Sequence, residues 1–151
     1  MNELIIFGAQ YLVGGVIAGT LATIFYSKEL RFKLSLVLLV ALPLGYVLAR
    51  VLGMLYSHYQ PFAELGFTPL VPHEVDNSFP SDHTLIAGIF ASVAYLADKR
   101  FGLVMWVLAL LMGLSRMIAG LHYGIDIAVG AVLAVVAVWV AYRVLKICKV
   151  Y

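Results

Sequence analysis

The chain has 151 residues, of which 64% are hydrophobic and 12% are charged, and its formal net charge at pH 7 is +2. Soluble domains carry about 25% charged residues, and a soluble chain of this length could not bury so much apolar surface. The composition therefore excludes a soluble protein, and the small net charge argues against a nucleic-acid partner. The length predicts one domain over residues 1–151, and the single cysteine, Cys148, excludes an internal disulfide.

Four apolar runs reach the roughly 17–25 residues that a helix needs to cross a bilayer: Leu4–Tyr26, Lys33–Ser57, Phe101–Ala119 and Ile125–Leu145. A fifth run, Ser81–Ala97, is shorter and polar in its first turn. It spans only if its outer end lies in a water-filled depression, and the alternative is a buried or re-entrant helix. We therefore predict an all-α integral membrane protein, a bundle of about five transmembrane helices. The first segment lacks the basic start of a removable signal peptide, so we expect it to be retained.

Small residues recur on the first and the last of these helices. Close helix packing in lipid favours small residues, so they are expected to lie at helix contacts. They are Gly8, Gly14, Gly15, Ala18 and Gly19 on the first helix, and Ala128, Gly130, Ala131 and Ala134 on the last.

The basic residues predict the orientation in the cell membrane. In a five-span arrangement most of them fall on one side, which is then cytoplasmic: Lys28, Arg31, Lys33, Lys99, Arg100, Arg143, Lys146 and Lys149. The N-terminus is expected outside and the C-terminus in the cytoplasm. All histidines of the chain then fall toward the outer side, at His58, His73, His83 and His122. The long outer segment, residues 57–80, is expected to form a compact lid.

An arginine, a histidine and an aspartate interrupt apolar sequence at Arg116, His122 and Asp126, and Gly120 and Gly124 predict a helix break among them. A charge in a membrane-length helix is costly to bury and indicates a functional site. Singly, the three have ordinary explanations: an arginine with its head group at the interface, a loop histidine, and an acidic residue at a helix start. Together they predict a nucleophilic histidine, oriented by a carboxylate and facing a fixed cation, that attacks an anionic phosphorus centre.

A second cluster, Pro80-Ser81-Asp82-His83, stands where the short helix begins. Ser81 suits a helix N-cap, and free backbone N–H groups at a helix start bind anions. This cluster resembles the Pro-Ser-x-His motif of the type 2 phosphatidic acid phosphatases, which are related to the vanadium haloperoxidases. Ser115-Arg116, five residues, His122, three residues and Asp126 are similar to the third motif of that family. The resemblance covers about residues 56–128.

The resemblance implies a role for each matching residue. His122 would be the nucleophile, Asp126 would orient it and stabilise the imidazolium, and His83 would protonate the departing oxygen. The phosphoryl oxygens would be held by substrate-binding residues, namely Arg116, Ser81, Asp82 through the helix start, and Gln60. The family needs no metal or other cofactor. Several histidines and carboxylates could suggest zinc, but the chain shows no paired-histidine ligand spacing.

The chain departs from the family in its first motif, lysine, six residues, then arginine-proline. Gln60 stands before Pro61 in place of the arginine, and Gly53 stands in place of the lysine. Arg50 lies one turn earlier, and since helical side chains point toward the N-terminus it is expected to be a poor substitute. Each lost charge-assisted hydrogen bond could cost about 1.5–3 kcal/mol, so activity could be slow, restricted to an unusual substrate, or absent.

The expected partner is a phosphorylated lipid in the outer leaflet, and the oligomeric state stays open. Residues ahead of the second motif resemble bacterial undecaprenyl-diphosphatases of this family: Pro72-His73, Asp76 and Ser78-Phe79. A phosphatidic acid or phosphatidylglycerol phosphate phosphatase is the alternative within the class. Outside it, the chain could be a weakened relative that binds or transports phospholipids, or a small channel in which Arg116 and Asp126 form an intramembrane ion pair.

Overall fold

The computed structural model describes residues 2–149, and within them the chain is helical without a strand. The helices are α1 Asn2–Tyr26, α2 Arg31–Leu55, α3 Pro61–Leu65, α4 Asp82–Ala97, α5 Lys99–Ile118 and α6 Gly124–Ile147. Four of them, α1, α2, α5 and α6, are long and apolar enough to cross a membrane, whereas α4 has 16 residues. The predicted all-α membrane bundle is confirmed, with four candidate spans and one shorter apolar helix. The short α3 was not predicted.

The short helix α4 lies at the centre of the bundle. It packs against α1, α2, α5 and α6, and Leu85, Ile89 and Val93 join one buried cluster while Ala87 and Phe90 join another. A helix that is apolar on all sides is stable only when it is buried. Because its neighbours surround it, α4 can be shorter than a membrane is thick, and its polar first turn opens toward the residues between α5 and α6.

Local sequence explains where the central helices begin and end. The Ser81 side chain caps α4 by accepting the Thr84 N–H at 3.4 Å, and the Asp98 carboxylate caps α5 by accepting the Phe101 N–H at 2.7 Å. Gly120, at φ 84°, ends the turn after α5 in a left-handed conformation that glycine adopts without strain. This glycine confirms the predicted break between Arg116 and Asp126.

The outer segment, residues 57–80, is docked and compact, as expected. Phe62 N–H donates to the Gly120 carbonyl at 3.1 Å, and Leu70 N–H donates to the Ala119 carbonyl at 3.2 Å. Phe62 and Val71 are buried with Leu121 in an apolar cluster of their own. The segment therefore packs directly on the turn that carries His122.

Glycines allow the closest helix approaches, but only some of the predicted ones do so. A Cβ on Gly8 would lie 2.9 Å from the Ser115 Cβ, and one on Gly130 would lie 2.8 Å from the Ser81 carbonyl oxygen. The expectation was wrong for several other small residues, because they face away from neighbouring helices. Gly14 and Gly15 would meet nothing within 4 Å, and Ala18 and Ala128 are exposed.

The contact between α4 and α6 at Gly88 predicts a stability difference. In Gly88→Ala the new Cβ would lie 2.6 Å from the Ala134 Cβ and 3.0 Å from the Trp106 ring, and overpacking of this kind costs about 1–3 kcal/mol. Gly14→Ala is the matched control, because a methyl group there meets open space. Thermal unfolding in detergent should show a lower Tm for Gly88→Ala alone. Equal Tm values for the two variants would contradict the packing described here.

Candidate active site

The two predicted clusters are joined by hydrogen bonds around the start of α6. Ser81 N–H donates to the Asp126 carbonyl at 3.2 Å, and the Ser78 hydroxyl donates to the Asp126 carboxylate at 2.6 Å. The side chains of Ser78 and Asp126 are fully buried. Residues nearly fifty positions apart are therefore held in one polar unit, which fixes the α4 start against the turn that carries His122.

The contacts of His122 determine its tautomer. Its Nδ1 lies 3.0 Å from the Ser78 carbonyl oxygen, 3.1 Å from the Ser78 hydroxyl and 3.6 Å from the Asp126 carboxylate. A carbonyl and a carboxylate only accept hydrogen bonds, so the network assigns the proton to Nδ1. In the neutral ring, Nε2 then carries the free lone pair and is the nitrogen available for attack.

The Asp126 carboxylate has more partners than the sequence indicated. Besides the Ser78 hydroxyl, it accepts the Tyr123 N–H at 2.8 Å, which caps α6, and its other oxygen lies 3.0 Å from the His58 Nε2. The ordinary explanation of an acidic residue at a helix start is thus correct, and the functional role expected for Asp126 stays a prediction. The partnership with His58 was not predicted from the sequence.

Arg116 is buried near the end of α5, with 4% of its surface exposed. Its Nη1 donates to the Ala9 carbonyl of α1 at 3.3 Å, but its Nε has no hydrogen-bond partner among the described residues. A guanidinium carries five N–H donors, and an unpaired buried donor is costly. The ordinary reading of an interfacial arginine does not fit this burial, whereas an anion-binding site does.

A cavity of about 390 Å³ opens beside Arg116. It is lined by Gln10, Tyr11, Val71, Pro72, His73, His83, Arg116 and Leu121. His83 projects from the first turn of α4 and lines this cavity together with Arg116. The cavity thus brings the predicted acid and the predicted anion ligand to one place, with the turn of His122 forming part of its wall.

His73 of the outer segment also lines this cavity. Its pKa lies below the ordinary 6.5, chiefly because of partial burial and secondly because of the nearby Arg116 charge. His73 is therefore neutral at pH 7 and able to donate or accept a hydrogen bond there.

Gln60 holds the outer segment together. It is fully buried, its Oε1 accepts the Asp76 N–H at 3.1 Å, and its Nε2 donates to the Glu74 carbonyl at 3.3 Å and to the Asp76 carboxylate. Both amide hydrogens are occupied by these acceptors. The substrate-binding role expected for Gln60 stays a prediction, and in this arrangement the residue acts on the lid.

Gly53, which stands where the family's first motif has a lysine, is closely packed. A Cβ on Gly53 would lie 3.0 Å from the Phe79 carbonyl oxygen and 3.1 Å from the Asn77 amide nitrogen. Arg50 instead reaches the start of α4, where its Nη2 pairs with the Asp82 carboxylate at 2.5 Å in a half-exposed ion pair. Arg50 therefore neutralises an acidic group beside His83, and Asp82 is engaged with it.

Two residues that hold the site, Ser78 and His58, were missed as ligands of Asp126. Ser78 was seen only as part of a family-like run, and His58 only as one of the outer histidines. Their link to Asp126 spans 48 and 68 positions along the chain, so no local spacing could reveal it. The prediction that all the histidines fall on one side of the membrane was the available signal.

Comparison with known proteins confirms the family resemblance. The family model described as the PAP2 superfamily matches residues 33–148. The chain is 34% identical over 139 residues to the bacitracin transport permease protein BcrC of Bacillus licheniformis, covering 91% of this chain and 68% of that protein. It is 30% identical over 99 residues to the undecaprenyl-diphosphatase BcrC of Bacillus subtilis (strain 168), covering 66% of this chain and 51% of that one. The chain thus spans about half to two thirds of these relatives.

A solved structure shares the fold. The crystal structure of LpxE from Aquifex aeolicus matches with a TM-score of 0.75 at 24% identity, covering 93% of this chain and 86% of that one. At this identity the likeness concerns the arrangement of helices.

The environment of His73 predicts how its titration responds to Arg116. Because the guanidinium charge opposes protonation of the ring, Arg116→Gln should raise the pKa of His73 toward 6.5. Arg143→Gln, which removes a cation from the far end of α6, should leave it unchanged. NMR titration of labelled histidines measures both variants, and an unchanged pKa in Arg116→Gln would contradict the shared cavity.

Proposed function

The chain belongs to the PAP2 superfamily, and from this premise we propose that it is a lipid phosphatase acting at the outer face of the cell membrane. The proposed reaction is hydrolysis of undecaprenyl diphosphate to undecaprenyl phosphate and phosphate, through a phosphohistidine intermediate. Two observations support a lipid diphosphate substrate: a relative bears the name undecaprenyl-diphosphatase, and α1 and α5, two of the candidate membrane spans, line the cavity. The alternative within the class is a phosphatidic acid or phosphatidylglycerol phosphate phosphatase.

The observation that carries the proposal is the buried guanidinium of Arg116. Its Nε lacks a partner among the described residues, and it lines the cavity that His83 also lines. A tetrahedral phosphoryl group with anionic oxygens satisfies several guanidinium donors at once, and such charge-assisted bonds are about twice as strong as neutral ones. A phosphate-bearing ligand therefore fits the unmet donors better than an intramembrane ion pair with Asp126, whose carboxylate is already occupied by other groups.

The first half of the reaction follows from the tautomer of His122. Its Nε2 lone pair attacks the terminal phosphorus, a P–N bond forms, and the P–O bond to the leaving group breaks. Nδ1 keeps its proton and donates it toward Ser78 and Asp126, which stabilise the positive charge that develops on the ring. His83 gives its proton to the departing oxygen, while Arg116 binds the non-bridging oxygens.

The second half returns the residues to their starting states. The neutral His83 removes a proton from water, the resulting nucleophile attacks the phosphorus, and the P–N bond breaks to release inorganic phosphate. Backbone N–H groups in the first turn of α4, which lack partners within the helix, face developing negative charge. Every step uses side chains of the chain itself, so the proposed reaction needs no metal.

A second candidate is a relative that binds or transports phospholipids without hydrolysing them. It is favoured by the missing first-motif cations, since Gly53 is packed against the Phe79 carbonyl and the Gln60 amide is occupied. A relative also bears the name transport permease. The two candidates share the anion site and differ in whether His122 acts as a nucleophile.

Phosphate release by the purified protein separates these candidates. We expect turnover of undecaprenyl diphosphate in a panel of lipid phosphates, at an unchanged rate in EDTA. His122→Ala should abolish it. Arg116→Lys should lower kcat/KM about 10–100-fold, because an ammonium cannot replace a planar fork of donors.

Gly14→Ala, at an outward-facing position, is the matched control and should be fully active. Equal phosphate release by the wild type and His122→Ala would reject the enzyme and favour binding or transport. A loss of activity in EDTA would reject the metal-free reaction.

The proposed orientation has a native probe in Cys148, which is exposed and free. The positively charged residues near the C-terminus predict that this end lies in the cytoplasm. A membrane-impermeant thiol reagent should therefore label Cys148 in inverted vesicles and leave it unlabelled in intact cells. Labelling from outside intact cells would place the active site on the cytoplasmic face instead.

A further inference from the structure

His58 is a second histidine on the carboxylate that orients the nucleophile. Its Nε2 lies 3.0 Å from one Asp126 oxygen, and its Nδ1 lies 3.1 Å from the backbone carbonyl of Tyr59. The other Asp126 oxygen faces Ser78 and His122. Only 15% of the His58 side chain is exposed. The proposed reaction gives this residue no part.

Both ring nitrogens of His58 face groups that only accept hydrogen bonds. A neutral imidazole has one donor and one acceptor, so it would leave one of these contacts repulsive. The imidazolium donates from both nitrogens and satisfies the carboxylate and the carbonyl together. The contacts of His58 are therefore those of a cation.

Among the described residues, the ionised side chain that contacts His58 is Asp126. Three aromatic rings surround His58, those of Tyr56, Phe79 and Tyr123, with centroids 5.3, 6.2 and 5.2 Å away. Tyr123 is titratable, and its pKa is raised by its hydrogen bond to Glu64, so it stays neutral. The His58 backbone N–H is taken by Asn77. His122 itself faces Ser78 and Asp126, and it shares its surroundings with Arg116, His83 and His73.

We propose that His58 is a positioning residue that acts on His122 through Asp126. The His58 cation offsets the Asp126 charge, and this weakens the attraction of the carboxylate for a second proton on His122. The cation thereby favours the form of His122 in which Nε2 is a free nucleophile, while Asp126 still fixes the ring. This inference rests on the proposed function, because it assigns His58 to the same reaction.

His58 supplies a positive charge from the same segment in which the first-motif arginine is missing. Gln60, which replaces the first-motif arginine, lies two positions after His58. The family-like cation at that position would bind phosphate directly. His58 instead places its charge next to Asp126, the carboxylate that orients His122. The same segment therefore supports the reaction through a different contact.

The test is His58→Gln, in which the amide can still donate to Asp126 but carries no charge. Loss of the cation should favour the protonated form of His122. NMR titration of labelled histidines should show His122 gaining its second proton at a pH about one unit higher than in the wild type, as expected for a neighbouring charge. The acid limb of the pH dependence of kcat/KM should move the same way, since it reports the base in the free enzyme.

Two further measurements separate this role from a structural one. Tyr59→Phe keeps the carbonyl that His58 contacts and changes only an exposed ring, so it should titrate as the wild type does. In an Asp126→Asn background the His58→Gln shift should vanish, because the shared carboxylate is gone. In the wild type, the His122 signals should respond as His58 titrates, which requires no variant to fold.

The NMR titration tests the positioning role of His58 independently of the phosphatase activity. If His122 titrates identically in the wild type and His58→Gln, and does not respond to His58 in the wild type, the positioning role is wrong even in an active phosphatase. If the shift appears but no lipid phosphate is hydrolysed, the proposed function fails while the coupling stands.

Discussion

The buried carboxylate of Asp126 is the interaction on which the rest of the site depends. An uncompensated carboxylate in an apolar bundle would be strongly destabilising, and here it is satisfied from several directions. The Tyr123 N–H ties it to the start of α6, the Ser78 hydroxyl ties it to the lid, and the His58 ring adds a donor from the lid's other end. Ser78 and Asp126 also contact the Nδ1 of His122. The folded outer segment therefore supplies part of what orients this ring.

The charged side chains of this site differ in whether they have a partner. Arg116 is buried, and its Nε has no partner among the described residues. Arg50 forms an ion pair with Asp82. Gly53 and Gln60 stand where the family's first motif has cations. At position 53 the loop that carries Ser78 packs closely, and a Cβ there would lie 3.0 Å from the Phe79 carbonyl oxygen. The polar groups of this segment hold Asp126 and each other.

Much of this architecture was readable from the sequence, because it follows from local chemistry. Apolar runs of membrane length predicted α1, α2, α5 and α6, and Gly120 predicted the helix break that precedes His122. The motif spacing predicted that the two motifs would meet, and the hydrogen bond from Ser81 to Asp126 agrees with it.

The parts that sequence could not reveal depend on packing between distant segments. Periodicity does not tell which small residues face a neighbour, so Gly14 and Gly15 could not be distinguished from Gly8. Helical direction argued against a role for Arg50, yet the approach of α2 to α4 brings it to Asp82. The pairing of His58 with Asp126 likewise needs the lid folded back across the α6 start.

The central claim is that Asp126 and Ser78 hold the Nδ1 proton of His122 so that Nε2 receives the phosphoryl group. The most direct measurement mixes the protein with a diphosphate lipid carrying a labelled terminal phosphate and denatures it rapidly at alkaline pH, where phosphohistidine survives. Peptide mass spectrometry and ³¹P NMR should then find the label on Nε2 of His122. Label on Nδ1, on another histidine, or on no residue during active turnover would contradict the account.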